Sequence, residues 1–262
     1  MCLLIAGSAV AFAREGLDNL PAAQIVVIGE VHDNPIHHQT QARLVAELAP
    51  KAIVFEMLSP AQVKAADGVD RRDAAAMAKA LSWQDSGWPD FALYAPIFAA
   101  SGTARIYGAA LPRAEVRGSM TEGAAAIFGA DAARFGLTDA LPAAEQSARE
   151  ADQMAAHCDA LPVEMLHGMV NAQRLRDASF ARTALQALDD TGGVVVVITG
   201  SGHADRARGI PAALAMAAPK VSVLSIGQLE SNPGADAPFD RWLVTAPMKR
   251  DDSCAAFAKS KQ

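Results

Sequence analysis

Three short β-branched runs in the chain end in residues able to move protons or hold a metal ion. The first closes on Gly29-Glu30-Val31-His32, the second places Glu56 directly after Ile53-Val54-Phe55, and a third leads into Gly200-Ser201-Gly202-His203. In an open parallel sheet, ligands bind beyond the carboxyl ends of the strands, where loops and helix starts converge. Two carboxylates, Glu30 and Glu56, and two imidazoles, His32 and His203, are therefore expected to line one crevice. Such a set suits a divalent metal held by Glu30, His32 and His203, or general acid–base work in which Glu56 takes part. Taken singly, each of these residues reads more readily as a partner for buried backbone groups; their shared position at strand ends argues for a site.

Two helices feed the same rim. Asn34 is placed to cap a helix that has Pro35 as its first residue, and Leu44, Val45 and Leu48 mark a buried stripe that stops before Pro50. Projected back along that helix, His37 falls nearly on the stripe, with His38 and Gln41 at its margin. They are pocket candidates, with local capping or packing as the other reading. The start of this helix favours an anion such as a carboxylate or propionate.

Farther on, Leu166, Val170, Gln173, Asp177, Ala181, Ala184 and Leu188 share one face, so Gln173 and Asp177 interrupt an apolar stripe. A buried carboxylate needs a partner. Asp177 either joins Arg174 or Arg206 in a salt bridge or orients a pocket histidine. Gly200 and Gly202 do not form a dinucleotide loop, because Asp205 stands where the third glycine belongs. They are expected to let backbone amides approach a ligand and to set His203 at the start of a helix. P-loop, HExxH and GxSxG patterns are all missing from the sequence.

The elements that position these residues alternate. Strands are expected over 24–28, 52–55, 104–107, 194–199 and 221–226, with a weaker one over 241–245. Helical stretches lie between them, one of them over 143–188 with a break near Leu161-Pro162, and 231–238 reads as a loop. The pattern predicts an α/β fold, a mostly parallel sheet flanked by helices on both faces. A smaller all-helical lobe is expected from about 60–100 and 112–162. Trp83, Trp88, Phe91, Tyr94 and Phe98 concentrate aromatic surface there, as a packed lobe or a flat ligand surface.

The chain has 262 residues, 51% of them apolar, and a formal charge of −6. One domain over 14–262 is the expectation at this size, and the acidic balance argues against nucleic acid as a partner. Residues 1–13, MCLLIAGSAVAFA, read as a signal peptide ending in a small-x-small cleavage pattern, although basic residues before it are lacking; a buried first element is the other reading. With Cys2 removed, Cys158 and Cys254 remain, either paired in an oxidising compartment or as two buried thiols.

The segments GEVHDNPIHHQTQ from Gly29, VFEML from Val54, SGWPDFALYAPIF from Ser86 and GSGHADRARGIPAAL from Gly200 together resemble the ChaN-like haem-binding family. That family is grouped with Tiki-type and TraB-type proteins and erythromycin esterases. The resemblance implies a periplasmic or envelope-associated, lipoprotein-like protein of haem and iron uptake, peripherally attached to the membrane, that binds haem through a tyrosine at a homodimer interface. The family pattern falls on Glu30, His32, Asn34, His37, His38, Gln41, Glu56, Gln173, Asp177 and His203. For the haem ligand Tyr94 is favoured, because it lies in a matching motif, whereas Tyr107 is expected inside a buried strand. Cys2 directly follows the initiator methionine, a departure that leaves lipidation open. The leading expectation is thus a haem carrier; the alternative is a metal-dependent hydrolase using Glu30, His32, Glu56 and His203, and a non-catalytic scaffold is a third class.

Overall fold

The computed structural model describes residues 17–251 and Cys254, and the leader expected over residues 1–13 lies outside them. The described residues open with β1 (Ile25–Glu30), α1 (Pro35–Leu48) and β2 (Ala52–Phe55), a βαβ unit. Short helices α2 (Pro60–Ala65), α3 (Ala74–Ala80) and α4 (Phe91–Ala100) precede β3 (Arg105–Gly108). Then come α5 (Arg113–Glu122), α6 (Ala124–Phe128), α7 (Ala143–Ala156) and the 29-residue α8 (Val163–Thr191). The chain continues through β4 (Val195–Gly200), α9 (Ile210–Ala217), β5 (Val223–Leu229) and β6 (Arg241–Val244). The six strands of the described residues form one sheet in the order β3-β2-β4-β1-β5-β6, with every neighbouring pair parallel.

Local chemistry accounts for the ends that matter. The Asn34 side chain accepts the amide of Ile36 and Pro35 begins α1, which closes at Ala49 in the left-handed region before Pro50. Pro162 starts α8 and Gly192, with φ 64, ends it. The central strands β1, β2 and β4 are buried along their whole length, as Val- and Ile-rich strands covered on both faces must be.

Each face of the sheet has its own core. Val26, Ile28, Ile53, Phe55, Val196 and Ile198 pack with Leu44, Val45, Tyr94, Ile97 and Phe98 of α1 and α4. Ile25, Val27, Val54, Val195 and Val197 pack with Leu175, Ala178, Ala181 and Ala184 of α8. The aromatic segment over 83–98 therefore serves the first layer, sharing its core with the strands, while α6 joins the α8 side through Phe128.

Cys158 and Cys254 form a disulfide with their Cα atoms 5.4 Å apart, tying the tail to the turn between α7 and α8. On its way there Arg250 pairs with both Asp33 and Glu230. No helix among the described residues is long and apolar enough to cross a membrane.

Candidate functional site

The pleat decides where the strand-end carboxylates go, because side chains two residues apart share a face. Val26 and Ile28 face α1 and α4, so Glu30 does too; Ala52 and Val54 face α8, so Glu56 points the opposite way. The expected single crevice is thus two clusters, one on each face of the same rim.

The Glu30 cluster is dry. Its Oε1 accepts hydrogen bonds from the Tyr94 hydroxyl and from His32 Nδ1, both at 2.8 Å. His38 donates from Nε2 to the His32 carbonyl at 2.8 Å, which leaves its Nδ1 and Glu30 Oε2 buried, 3.5 Å apart, with no hydrogen-bond partner. Gln41 donates to the Ile28 carbonyl at 3.2 Å. His37 is sewn into the scaffold: Nδ1 accepts from the Val31 amide at 2.9 Å and Nε2 donates to the Thr245 hydroxyl at 2.9 Å. Burial lowers its pKa to about 4, so it stays neutral.

Tyr94 is fully buried, and burial followed by the charge of Glu30 pushes its hydroxyl far above the usual range. In this arrangement the hydroxyl has no open side for an iron atom. Tyr107, expected in a buried strand, instead lies half-buried on the edge strand β3 and donates to Asp190 at 2.8 Å.

The Glu56 cluster is charged. Glu56 Oε2 accepts from the Thr199 hydroxyl at 2.6 Å and the Gly200 amide at 2.8 Å, and Oε1 lies 3.5 Å from His203 Nε2. His203 Nδ1 donates to Asp177 at 2.6 Å, and the Gln173 amide reaches within 3.0 Å of the same nitrogen. Burial disfavours the imidazolium, but the charges of Glu56 and Asp177 outweigh it and raise His203 to about 10. The His203 charge likewise overcomes burial at Glu56 and holds that carboxyl far below its ordinary range, while burial keeps Asp177 raised. Asp177 thus orients a histidine, and the salt-bridge reading falls: Arg174 donates to the carbonyls of Gly136 and Asp139, and Arg206 pairs with Asp240.

His32 lies between the clusters, half-exposed, its ring edge-on to Trp88 at 4.8 Å between centroids. Burial lowers its pKa, yet the hydrogen bond and charge of Glu30, with the charge of Glu56, leave it raised. A Cβ at position 200 would come within 3.0 Å of His32 Nε2, which explains Gly200; its amide approaches Glu56 rather than a ligand. His203 itself sits in a 3-10 turn over Ser201–Ala204, well before α9. Among the described residues no three His, Cys, Asp or Glu side chains are arranged to hold a metal ion. Of the metal set expected on Glu30, His32 and His203, Glu30 and His32 are hydrogen-bonded to each other, while His203 is held by Asp177 and Glu56.

A groove of about 1360 Å³ opens over the Glu56 cluster, with Glu56 and His203 in its floor. Trp88 and Asp85 line it together with Pro60, Ala61 and Gln62 of α2. On the other wall α5 presents Arg113, Val116, Arg117 and Met120, and α8 presents Met169, Ala172, Arg176 and Phe180, each set at helical spacing on one face. Arg113, Arg117 and Arg176 have no hydrogen-bond or ion-pair partner among the described residues.

The family described as haem-binding uptake, Tiki superfamily, ChaN matches residues 17–214. The chain belongs to that family. Among solved structures it is similar to the one described as cofacial heme binding to ChaN of Campylobacter jejuni, with a TM-score of 0.64, 19% identity, and coverage of 85% of this chain and 87% of that one. It is also similar to the type III effector HopBA1 (TM-score 0.46, 12% identity, 86% and 88% covered) and to a Bacillus cereus protein (TM-score 0.39, 12% identity, 89% and 72% covered). No functionally curated protein matches the chain. The Campylobacter jejuni likeness supports the fold over nearly the whole described region.

Sequence reasoning missed the three groove arginines. A signal was present: none of the three has an acidic residue three or four places away along its helix, where a surface arginine commonly finds its partner.

Proposed function

We propose that this chain is a haem-binding protein of the cell envelope, serving haem or iron uptake, and that haem lies in the groove above Glu56 and His203. The observation that carries this reading is the groove itself. Met57, Trp88, Leu111, Val116, Met120, Met169 and Phe180 give it apolar walls, and its volume of about 1360 Å³ suits a flat macrocycle better than a small metabolite. Family membership supplies the class of ligand.

The apolar wall also runs outward, since Met165 stands one turn before Met169 on α8 and Val163, 71% exposed, begins that helix. An open groove covers only part of such a ligand, which supports a homodimer that closes over it, as the resemblance implies. The Cys158–Cys254 bridge supports an oxidising compartment, hence export to the periplasm or envelope, with peripheral membrane attachment as a further part of the proposal.

Adding hemin to the purified protein tests the reading. A saturable Soret shift, with a change in sedimentation from monomer to dimer at saturation, is the expected result. Absorbance that grows in proportion to hemin, with no saturation above an albumin-like background, would remove it.

A further inference from the structure

We propose that the groove selects its ligand by acid groups and not by iron. Arg113, Arg117 and Arg176 form a clamp for the carboxylates of an amphipathic dicarboxylate, so a porphyrin without metal binds as well as one that carries it. The inference rests on the reading of the groove as the haem site and names what that site recognises.

The charge distribution is the first argument. The chain carries a formal −6, yet one wall of this groove presents three guanidinium groups that no acidic side chain among the described residues answers. Of the two carboxylates in the lining, Glu56 is already engaged by His203, Thr199 and Gly200, and Asp85 forms no ion pair with any of the three arginines. The α5–α8 wall is therefore left positive. Guanidinium forks match carboxylates in a paired geometry that a lone ammonium does not provide.

The second argument is the interleaving. On α5 the arginines alternate with Val116 and Met120, and on α8 Arg176 lies between Ala172 and Phe180. A ligand that satisfies this wall must offer apolar surface and more than one anionic group together.

The third argument concerns the iron. No tyrosine or cysteine lines the groove, and its one histidine has Nδ1 on Asp177 and Nε2 facing Glu56. Tyr94 points to the other face of the sheet, its hydroxyl bound to Glu30. Apart from the Asp85 carboxylate, the Met57, Met120 and Met169 thioethers and a few hydroxyls, no side chain of the lining is free to coordinate a metal.

The test is a set of titrations followed by quenching of tryptophan fluorescence, with hemin, metal-free protoporphyrin IX and protoporphyrin IX dimethyl ester. Hemin and the free acid should bind within about threefold of each other, and the ester at least about tenfold more weakly. Arg113→Ala, Arg117→Ala and Arg176→Ala should each cost about tenfold for the two acids and leave the ester unchanged. Arg113 and Arg117 are exposed, so these variants keep the fold, which an unchanged melting temperature verifies. Binding of hemin without binding of the free acid overturns the clamp and leaves haem binding standing. Acid binding that survives all three substitutions also overturns it. If no porphyrin binds, both this inference and the proposed function fall.

Discussion

On one face of the sheet a strand-end glutamate is locked away with a tyrosine and two histidines; on the other, a glutamate one strand removed sits beneath an open groove and holds a charged histidine. Glu30 has no side-chain exposure and receives Tyr94 and His32, with His38 close by. Glu56 faces His203, which a second carboxylate, Asp177, grips from behind. The ingredients are the same: a carboxylate at the end of a β-branched strand, and an imidazole from a loop that follows a strand of the same rim. The cover differs. The Glu30 side is roofed by α1 and α4, whose aromatic residues close over it, whereas the Glu56 side meets α5 and α8, which leave a groove between themselves and Trp88. A carboxylate–histidine pair becomes scaffold or site according to what packs above it.

The strongest test of this contrast is truncation of the charged histidine. His203→Ala leaves Asp177 and Glu56 buried without their cation, and should cost about 3–5 kcal/mol in chemical denaturation. The matching change on the other face, His32→Ala, leaves Glu30 its Tyr94 hydroxyl and should cost only about 1–2 kcal/mol. Equal losses would erase the distinction. Because His203 has its pKa raised to about 10 from an ordinary 6.5, its contribution is complete below pH 6.5 and disappears as pH climbs through 10. The His203→Ala protein should therefore lack the alkaline decline in stability that the parent shows.

Much of this arrangement was legible in the sequence, and the part that was not has a definite cause. All six strands, the cap at Asn34, the break before Val163 and the inward face of α8 follow from local patterns that the structure keeps. Asp177 announced itself as a carboxylate on an apolar stripe and found a histidine. The division of Glu30 from Glu56 was not legible, because it depends on how β1 and β2 register through β4, where Val26 and Ile53 both pair with Val196. Position along a strand is local; the face shared by two strands that do not touch is a property of the assembled sheet. The groove arginines stayed hidden for a similar reason, since α5 and α8 lie far apart in sequence and only their packing brings Arg113, Arg117 and Arg176 to one wall.

An intermediate effect separates the same two faces on the acid side. Burial depresses His37 to about 4, so between pH 6.5 and 4 the unfolded chain takes up a proton that the folded one refuses. Stability should fall across that window with a slope of up to about 1.4 kcal/mol per pH unit, and His37→Gln should flatten it. His203 contributes no slope there, being protonated in the fold and increasingly so in the unfolded chain below 6.5. An acid arm that persists in His37→Gln and vanishes in His203→Ala would reverse the assignment of His37 as the neutral histidine and His203 as the charged one.

The smallest expected effect falls on Tyr94, the tyrosine favoured in the sequence as the haem ligand. Tyr94→Phe removes one hydrogen bond to Glu30, already held by His32, and should cost about 1 kcal/mol. The ring stays in place, packed among Trp83, His38 and the α1–α4 core, so no cavity is opened. If porphyrin sits on the groove side of the sheet, the Soret band of the hemin complex should be the same in the variant and the parent. A hemin spectrum that changes on losing this hydroxyl would mean that α4 swings out and carries Tyr94 to the iron, breaking the Glu30 cluster as it goes. The dry face would then be the site, and the stability cost of Tyr94→Phe would shrink or reverse on adding hemin, a linkage that denaturation with and without ligand reads directly.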